Sequence, residues 1–218
     1  MTYPNGVIGF AEGSFMNLGT SLGLYAAVTK EPSTELVSPD SERFYVGFHS
    51  FTRSKLHARF CIWAALEPRA AGQAFNVVNG DVESWRTLWP KLAKRFGLRV
   101  KPDQLAKPPG EEGAVMELAE KPPVADMAAE LGLVGSRMVQ QGKVEQRVDL
   151  MKWSKREDVR KAWEKVAERE GLSKDALEKA TWGFLGFVLG RNYDLVIDMS
   201  KARTLGWTGW DLNLFFFM

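Results

Sequence analysis

Two histidines, one cysteine and four tyrosines are the side chains of this 218-residue chain that could serve as an imidazole base, a soft metal ligand or a phenolic proton donor. His49 and His57 are eight residues apart with no carboxylates in register, so each reads as a polar residue at the edge of an element rather than as half of a metal pair. Cys61 sits in an apolar helical run and reads as a buried, unreactive thiol; a lone cysteine also excludes an internal disulfide and a multi-cysteine metal site. No tyrosine has a lysine four residues on: Tyr25 is followed by Lys30, one residue too far, and Tyr3, Tyr45 and Tyr193 have none. Phosphate-cradling turns are missing as well. No G-x-G-x-x-G follows a strand-like run, and Gly135 to Gly142-Lys143 has the wrong spacing for a P-loop, with Val144 where Ser or Thr should bind magnesium.

The side chains available for chemistry are few, so the elements carry the reading. The chain is organised around Ala74–Gly97. Ala74-Phe75-Asn76-Val77-Val78 is a β-prone run ended by Asn79-Gly80, a pair that tolerates the positive φ of a sharp turn. Trp85, Leu88, Trp89, Leu92 and Phe96 then recur at i, i+3, i+4, i+7 and i+11, which puts them on one helical face. Asp81 stands where an N-cap acceptor is wanted, Lys94 and Arg95 fall in the last turn, and Gly97 closes the helix. Pro90 should kink it, yet the stripe runs on to Phe96. Strand, turn and helix make the working unit of an α/β fold.

Around this unit, Val7-Ile8-Gly9-Phe10 is strand-like, Glu12-Gly13-Ser14 a turn, and Leu18, Leu22, Tyr25 and Val28 mark a helix. Glu31–Glu42 reads as an exposed loop and Phe44–Phe48 as a strand. Thr52 is placed to cap a helix carrying Leu56, Phe60, Trp63 and Glu67, which Pro68 stops. Leu98–Pro123, rich in Pro and Gly, reads as a surface excursion or lid, followed by a short helix over Val124–Gly132. Ser154-Lys155-Arg156-Glu157 has the form of a capping box before the stripe Val159, Trp163, Val166, Ala167, which ends at Gly171. Ser173 is expected to cap another short helix, Thr181–Leu189 to be buried, Leu195–Asp198 to be a last strand, and Lys201 and Arg203 to lie on a small helix. The apolar end Leu214–Met218 is an aggregation hazard unless covered.

The charge balance, 29 basic against 27 acidic residues with a net +2, gives no field suited to nucleic acid or anionic membrane. Basic residues do not interleave with the Trp and Phe stripes, which read as core rather than as stacking platforms for bases. No apolar run reaches about 18 residues, and no basic-then-apolar leader opens the chain. The expectation is a cytoplasmic protein with neither nucleic acid nor membrane as partner.

Several of these runs resemble a known family. Val7–Phe10 with Ser14-Phe15-Met16-Asn17, then Ala74–Asp81 and Trp85–Trp89, are similar to the C-terminal half of progesterone 5β-reductase/iridoid synthase-like enzymes. The similarity continues through Trp163, Glu170-Gly171-Leu172, Trp182-Gly183-Phe184, Met199–Arg203 and Gly206-Trp207-Thr208-Gly209, and covers about residues 4–210. These enzymes are extended short-chain dehydrogenase/reductases of Rossmann fold, and the fungal members look closest.

The resemblance implies an α/β fold: a partial Rossmann-like sheet with strands near Val7, Val46 and Val77 and flanking helices. Residues 1–97 would be the C-terminal part of an NAD(P)-binding domain, and residues 98–218 a mainly helical substrate or lid region. It implies NADPH-dependent reduction of the C=C bond of an enone or enal, with a small apolar carbonyl compound as substrate. By position, Val7 matches the strand end that touches the nicotinamide amide, and Ser14, Phe15 and Met16 the stretch along the nicotinamide-side phosphate and ribose. The family's Gly-rich turn and its catalytic Tyr and Lys match no residues here, and its basic residue before Pro4 is replaced by Tyr3. The ends look cut, as in a fragment, a truncated gene model or a degenerate copy. This chain alone is therefore expected to be inactive. The alternative expectation is a non-catalytic module that binds a partner chain or a small apolar ligand, with self-association through an exposed sheet edge.

Overall fold

The computed structural model describes residues 1–9, 13–106, 112–136 and 139–212. In chain order the elements are β1 (Thr2–Pro4), β2 (Val7–Ile8), α1 (Leu18–Thr29), β3 (Glu35–Leu36), α2 (Glu42–Val46), β4 (Thr52–Arg53), α3 (Ser54–Leu66), β5 (Phe75–Val77), α4 (Trp85–Arg95), β6 (Arg99–Val100), β7 (Ala114–Glu117), β8 (Lys143–Gln146), α5 (Leu150–Trp153), α6 (Glu157–Glu170), α7 (Ala176–Lys179), α8 (Trp182–Leu189) and α9 (Ser200–Thr204). Short 3₁₀ turns cover Pro68–Ala70 and Pro123–Met127.

The sheet is built in pairs. β1 runs parallel to β5, β2 to β4 and β3 to β6, while β7 and β8 are antiparallel. Parallel neighbours cannot be joined by a tight turn, so helices must intervene between them. The crossover from β1 to β5 accordingly carries α1, α2 and α3. The architecture is mixed α/β, as the strand–turn–helix pattern implied.

The central unit forms where its stripe predicts. Trp85, Leu88, Trp89 and Leu92 are buried on the inner face of α4, and Phe96 is packed against the same core. Pro90 lies inside the helix without ending it, because the burial of this stripe outweighs the one backbone hydrogen bond a proline removes. The cap is not Asp81 but Ser84, whose Oγ accepts from the Arg86 N–H at 3.2 Å.

Other expectations are corrected. Phe44–Phe48 is no strand: Ser41 accepts from the Phe44 N–H at 3.0 Å and starts α2, so Val46 is helical. Successive Phe44 and Tyr45 are both buried, which a strand with one buried face cannot do. The strand in this region is β4 instead. Thr52 belongs to it, donating through Oγ1 to the Val77 carbonyl at 2.6 Å, and α3 starts after Arg53 with no side-chain cap. Glu31–Glu42 is not simply exposed, since Leu36, Ser38, Asp40 and Ser41 are buried around β3. The 98–123 excursion contains β6 and β7, and Val124–Gly132 is a 3₁₀ turn followed by turns.

The Ser154–Glu157 capping box does not close. Ser154 ends α5, and α6 starts after Arg156 without a side-chain cap. α7 follows Asp175 rather than Ser173, and Leu195–Asp198 contributes one isolated bridge, from Leu195 to His49. Cys61 is exposed, because the inward face of α3 is set by Leu56 and Phe60. His57 does lie at an edge, half-buried on α3 and bonded to Thr2 Oγ1 at 3.0 Å. His49 is buried instead. Its Nε2 donates to the Phe44 carbonyl at 2.9 Å, and burial holds its pKa below the usual histidine value. Phe10, Glu12, Lys107–Glu111 and the Leu214–Met218 tail lie outside the described residues.

The core has two parts. The larger joins α1, α2, α4, α5, α6 and α8. The smaller gathers Leu56, Phe60, Phe75, Val77, Met199 and Trp207 between α3, β5 and α9.

Candidate functional site

The carboxyl ends of the parallel strands are tied together by side chains. The Asn5 N–H donates to Thr52 Oγ1 at 2.9 Å, and Asn79 Oδ1 accepts from the Arg53 N–H at 2.7 Å. Backbone approach here is close. Gly6 adopts φ +49°, and a Cβ at Gly9 would lie 2.1 Å from Ser54 Oγ, so no larger residue fits between β2 and the start of α3. The chain leaves β2 through this crowded point toward Ser14–Asn17.

The next turn is fixed by α1 and α8 together. Asn17 caps α1, its Oδ1 accepting from the Thr20 N–H at 3.0 Å. Its carbonyl accepts from both Ser21 Oγ and Thr181 Oγ1 at 3.1 Å, and Ser21 Oγ also accepts from the Thr181 N–H at 3.1 Å. These bonds knit the head of α1 to the head of α8, 160 residues away along the chain. Phe15, two residues before the cap, lines the same opening as Trp182, Gly183 and Phe184.

Between them opens a cleft of about 510 Å³. Phe15, Met151, Leu177, Trp182 and Phe184 give it apolar walls, and Lys155, Arg160 and Glu178 stand among its polar lining. Its floor is rigid. Trp182 donates through Nε1 to the Leu177 carbonyl at 2.8 Å and meets Trp153 edge-on at 5.2 Å, while Trp153 meets Tyr25 at 4.8 Å. Such a surface offers shape and apolar burial, the two features by which small apolar molecules are held.

Of the predicted positions, Phe15 lies on the cleft and is 74% exposed. Val7 and Met16 are exposed as well, and the Ser14 hydroxyl accepts from the Met16 N–H at 3.3 Å. Residues 1–29 contain no Lys or Arg, so they supply no side-chain cation for a pyrophosphate. Sequence reasoning missed the cleft partners Met151 and Leu177 and the Asn17–Ser21–Thr181 knot. The knot left no local signal, because its partners come from opposite ends of the chain. Among the described residues no group of His, Cys, Asp or Glu could hold a metal ion, and no helix is long and apolar enough to cross a membrane.

No protein-family model matches the chain. It is 37% identical over 205 residues to an uncharacterized protein of Schizosaccharomyces pombe, covering 94% of this chain and 50% of that protein. It is 29% identical over 207 residues to a 3-oxo-Δ(4,5)-steroid 5-β-reductase of Arabidopsis thaliana, and 31% identical over 207 residues to an (S)-8-oxocitronellyl enol synthase of Nepeta cataria. Each of these two alignments covers 94% of this chain and 42% of the relative. The chain belongs to the progesterone 5β-reductase/iridoid synthase-like short-chain dehydrogenase/reductases. It spans about half the length of the curated relatives it matches.

Proposed function

We propose that this chain is the substrate-side, C-terminal portion of an NAD(P)H-dependent reductase acting on the C=C bond of an enone or enal, and that these residues alone do not turn over. The observation that carries the reading is the cleft itself: its apolar walls and its volume of about 510 Å³ suit a small apolar carbonyl compound. The names of the steroid reductase and enol synthase relatives support it, as do the parallel strand pairs expected of part of a Rossmann-like sheet. Residues 1–97 would complete a nucleotide-binding domain and residues 98–218 would close over substrate.

NADPH, when bound, supplies a hydride to the β-carbon of the enone. Val7, Ser14, Phe15 and Met16 would line its nicotinamide end. The Asn17–Ser21–Thr181 knot would hold Phe15 against the substrate, and Trp182 and Phe184 would exclude water from it. Inactivity of the isolated chain follows from its lack of a Gly-rich phosphate turn and of a tyrosine with a lysine four residues on.

The test uses the purified chain, NADPH and a 3-oxo-Δ4 steroid. Quenching of tryptophan fluorescence by the steroid is expected at micromolar concentrations, without NADPH oxidation. Absence of binding by steroid and by short enals overturns the cleft as a substrate site. NADPH oxidation proportional to protein overturns the inactivity.

A further inference from the structure

The cleft has apolar walls, but its charged lining is not balanced. Lys155, just before α6, and Arg160, in the first turn of α6, both line it, and among the described residues Glu178 is the one acid that does. None of these three charges has an ion-pair partner among the described residues.

The neighbouring carboxylates are committed elsewhere. Asp149 faces Lys152 at 3.3 Å, and Glu157 faces Lys161 at 2.6 Å. Asp158 holds Arg156 at 2.6 Å, and Asp175 holds Lys179 at 2.5 Å. Glu164, one turn on from Arg160, is neither paired with it nor part of the lining. The first turn of α8, which belongs to the same lining, contains no acidic residue that could offset the cations. Two cations against one carboxylate leave a net positive charge beside the apolar walls.

That charge selects among ligands. A neutral molecule that fills the cleft takes water from both cations and returns no acceptor. A carboxylate does return one, and the planar guanidinium of Arg160 is shaped to hold it through two parallel N–H donors. One net charge suits a monoanion.

We infer that the substrate of this cleft is an acidic carbonyl compound: an enone or enal whose apolar body lies against Phe15, Trp182 and Phe184 and whose carboxylate is held by Arg160 and Lys155. The inference rests on the reading of the cleft as the substrate site of a reductase, and it narrows the substrate class. The carboxylate is a handle and takes no part in the reduction.

The probes are a 3-oxo-Δ4 steroid that bears a 17-carboxyl group and the methyl ester of the same acid, which keeps nearly the same shape without the charge. Their dissociation constants for the purified chain at neutral pH are read from quenching of tryptophan fluorescence. At about 10 mM salt the acid is expected to bind roughly five- to tenfold more tightly than the ester. At about 1 M salt, where the screening length falls to about 3 Å, the two affinities should converge. Arg160→Gln and Lys155→Gln should each weaken binding of the acid, and the double variant should bring it down to the affinity of the ester. Glu178→Gln should widen the preference. All three side chains are exposed, so circular dichroism and thermal melting of the variants should match the parent chain.

An ester that binds as tightly as the acid overturns the inference and leaves the cleft standing as a substrate site. So does a preference for the acid that survives in the double variant, which would put the carboxylate elsewhere. Displacement of the acid by millimolar NADP+ would assign the two cations to the phosphates of the cofactor and overturn it too. If neither acid nor ester binds, the reading of the cleft as a substrate site fails, and the inference fails with it.

Discussion

Asp40 has the most perturbed environment of any acid among the described residues. It is fully buried; one carboxylate oxygen accepts from Ser38 Oγ and the other, Oδ2, has no hydrogen-bond partner among the described residues. The Tyr25 hydroxyl, whose own pKa is raised by burial and then by the Asp40 charge, donates instead to the Val37 carbonyl at 3.0 Å. Burial pushes the Asp40 carboxyl up to about 7, and the opposing pull of the Ser38 bond and the Arg147 charge does not cancel it. The folded state therefore binds this proton more tightly than the unfolded chain, whose Asp titrates near 4. The stabilisation from the bound proton is complete below about pH 4 and is lost as pH rises through about 7. Asp40→Asn should raise the unfolding free energy at pH 8 by up to roughly 4 kcal/mol and change it little at pH 4. Urea denaturation at the two pH values reads the difference, and an equal effect at both would refute the assignment. Nothing in the sequence marked Asp40, which lies in a Pro- and Ser-rich run with the composition of an exposed loop. Its loop is held by distant segments, the Ser38 N–H donating to Gln104 Oε1 at 2.8 Å and the Ser41 N–H to the Leu189 carbonyl at 3.2 Å. The tryptophans make a second comparison. Trp163 donates through Nε1 to the Lys174 carbonyl at 2.9 Å, whereas Trp207 Nε1 is buried with no partner among the described residues. Trp163→Phe should cost about 1 kcal/mol more than Trp207→Phe in thermal or urea unfolding, because only the first strands a carbonyl.

At the scale of elements, helix faces were legible and helix starts were not. The stripes of α4 and α6 give their inner faces directly, since a period of 3.6 sustained over three turns fits a helix and not a strand. The caps depend on where the chain is allowed to turn. Asp81, Ser154 and Ser173 are all good cap residues by type, but the caps fall two or three residues later, at positions set by packing. Ser84 shows why. It caps α4 and also donates to the Tyr45 carbonyl at 2.8 Å, so α4 begins where it can be tied to α2. Ser84→Ala should therefore cost about 1–2 kcal/mol in urea unfolding, more than the cap alone, because a buried carbonyl loses its donor. Trp89→Ala, which empties the centre of the α4 stripe, should cost about 3–5 kcal/mol by the same measurement. The misread run at Phe44–Phe48 has the same origin. Aromatic and β-branched neighbours suggest a strand, but one serine cap and a buried Phe44–Tyr45 pair make it a helix. Of the lining of the candidate cleft, Phe15 alone had been singled out as a site residue, and by resemblance; the rest was not legible, because the other wall comes from α5, α7 and α8.

For the whole molecule, the division of the core into two clusters predicts unequal stability. The larger cluster is enclosed by helices on several sides, with Trp85, Trp89, Leu150 and Leu185 fully buried. The smaller is covered by α3, β5 and α9, and its roof, α3, exposes an apolar stripe to solvent on the other side. α9 is five residues long and β5 three, so each holds few hydrogen bonds of its own. Opening α3 costs the burial of Leu56 and Phe60 on one face only. The outer face contributes nothing to the folded chain, since it is wet in both states. Local unfolding should then expose α3 and β5 before the α1–α6–α8 body. Native-state hydrogen exchange should give opening free energies for the amides of Phe60 and Val77 that are roughly 2 kcal/mol or more below those of Trp89 and Leu185. Equal protection in both clusters would mean that the molecule opens as one unit.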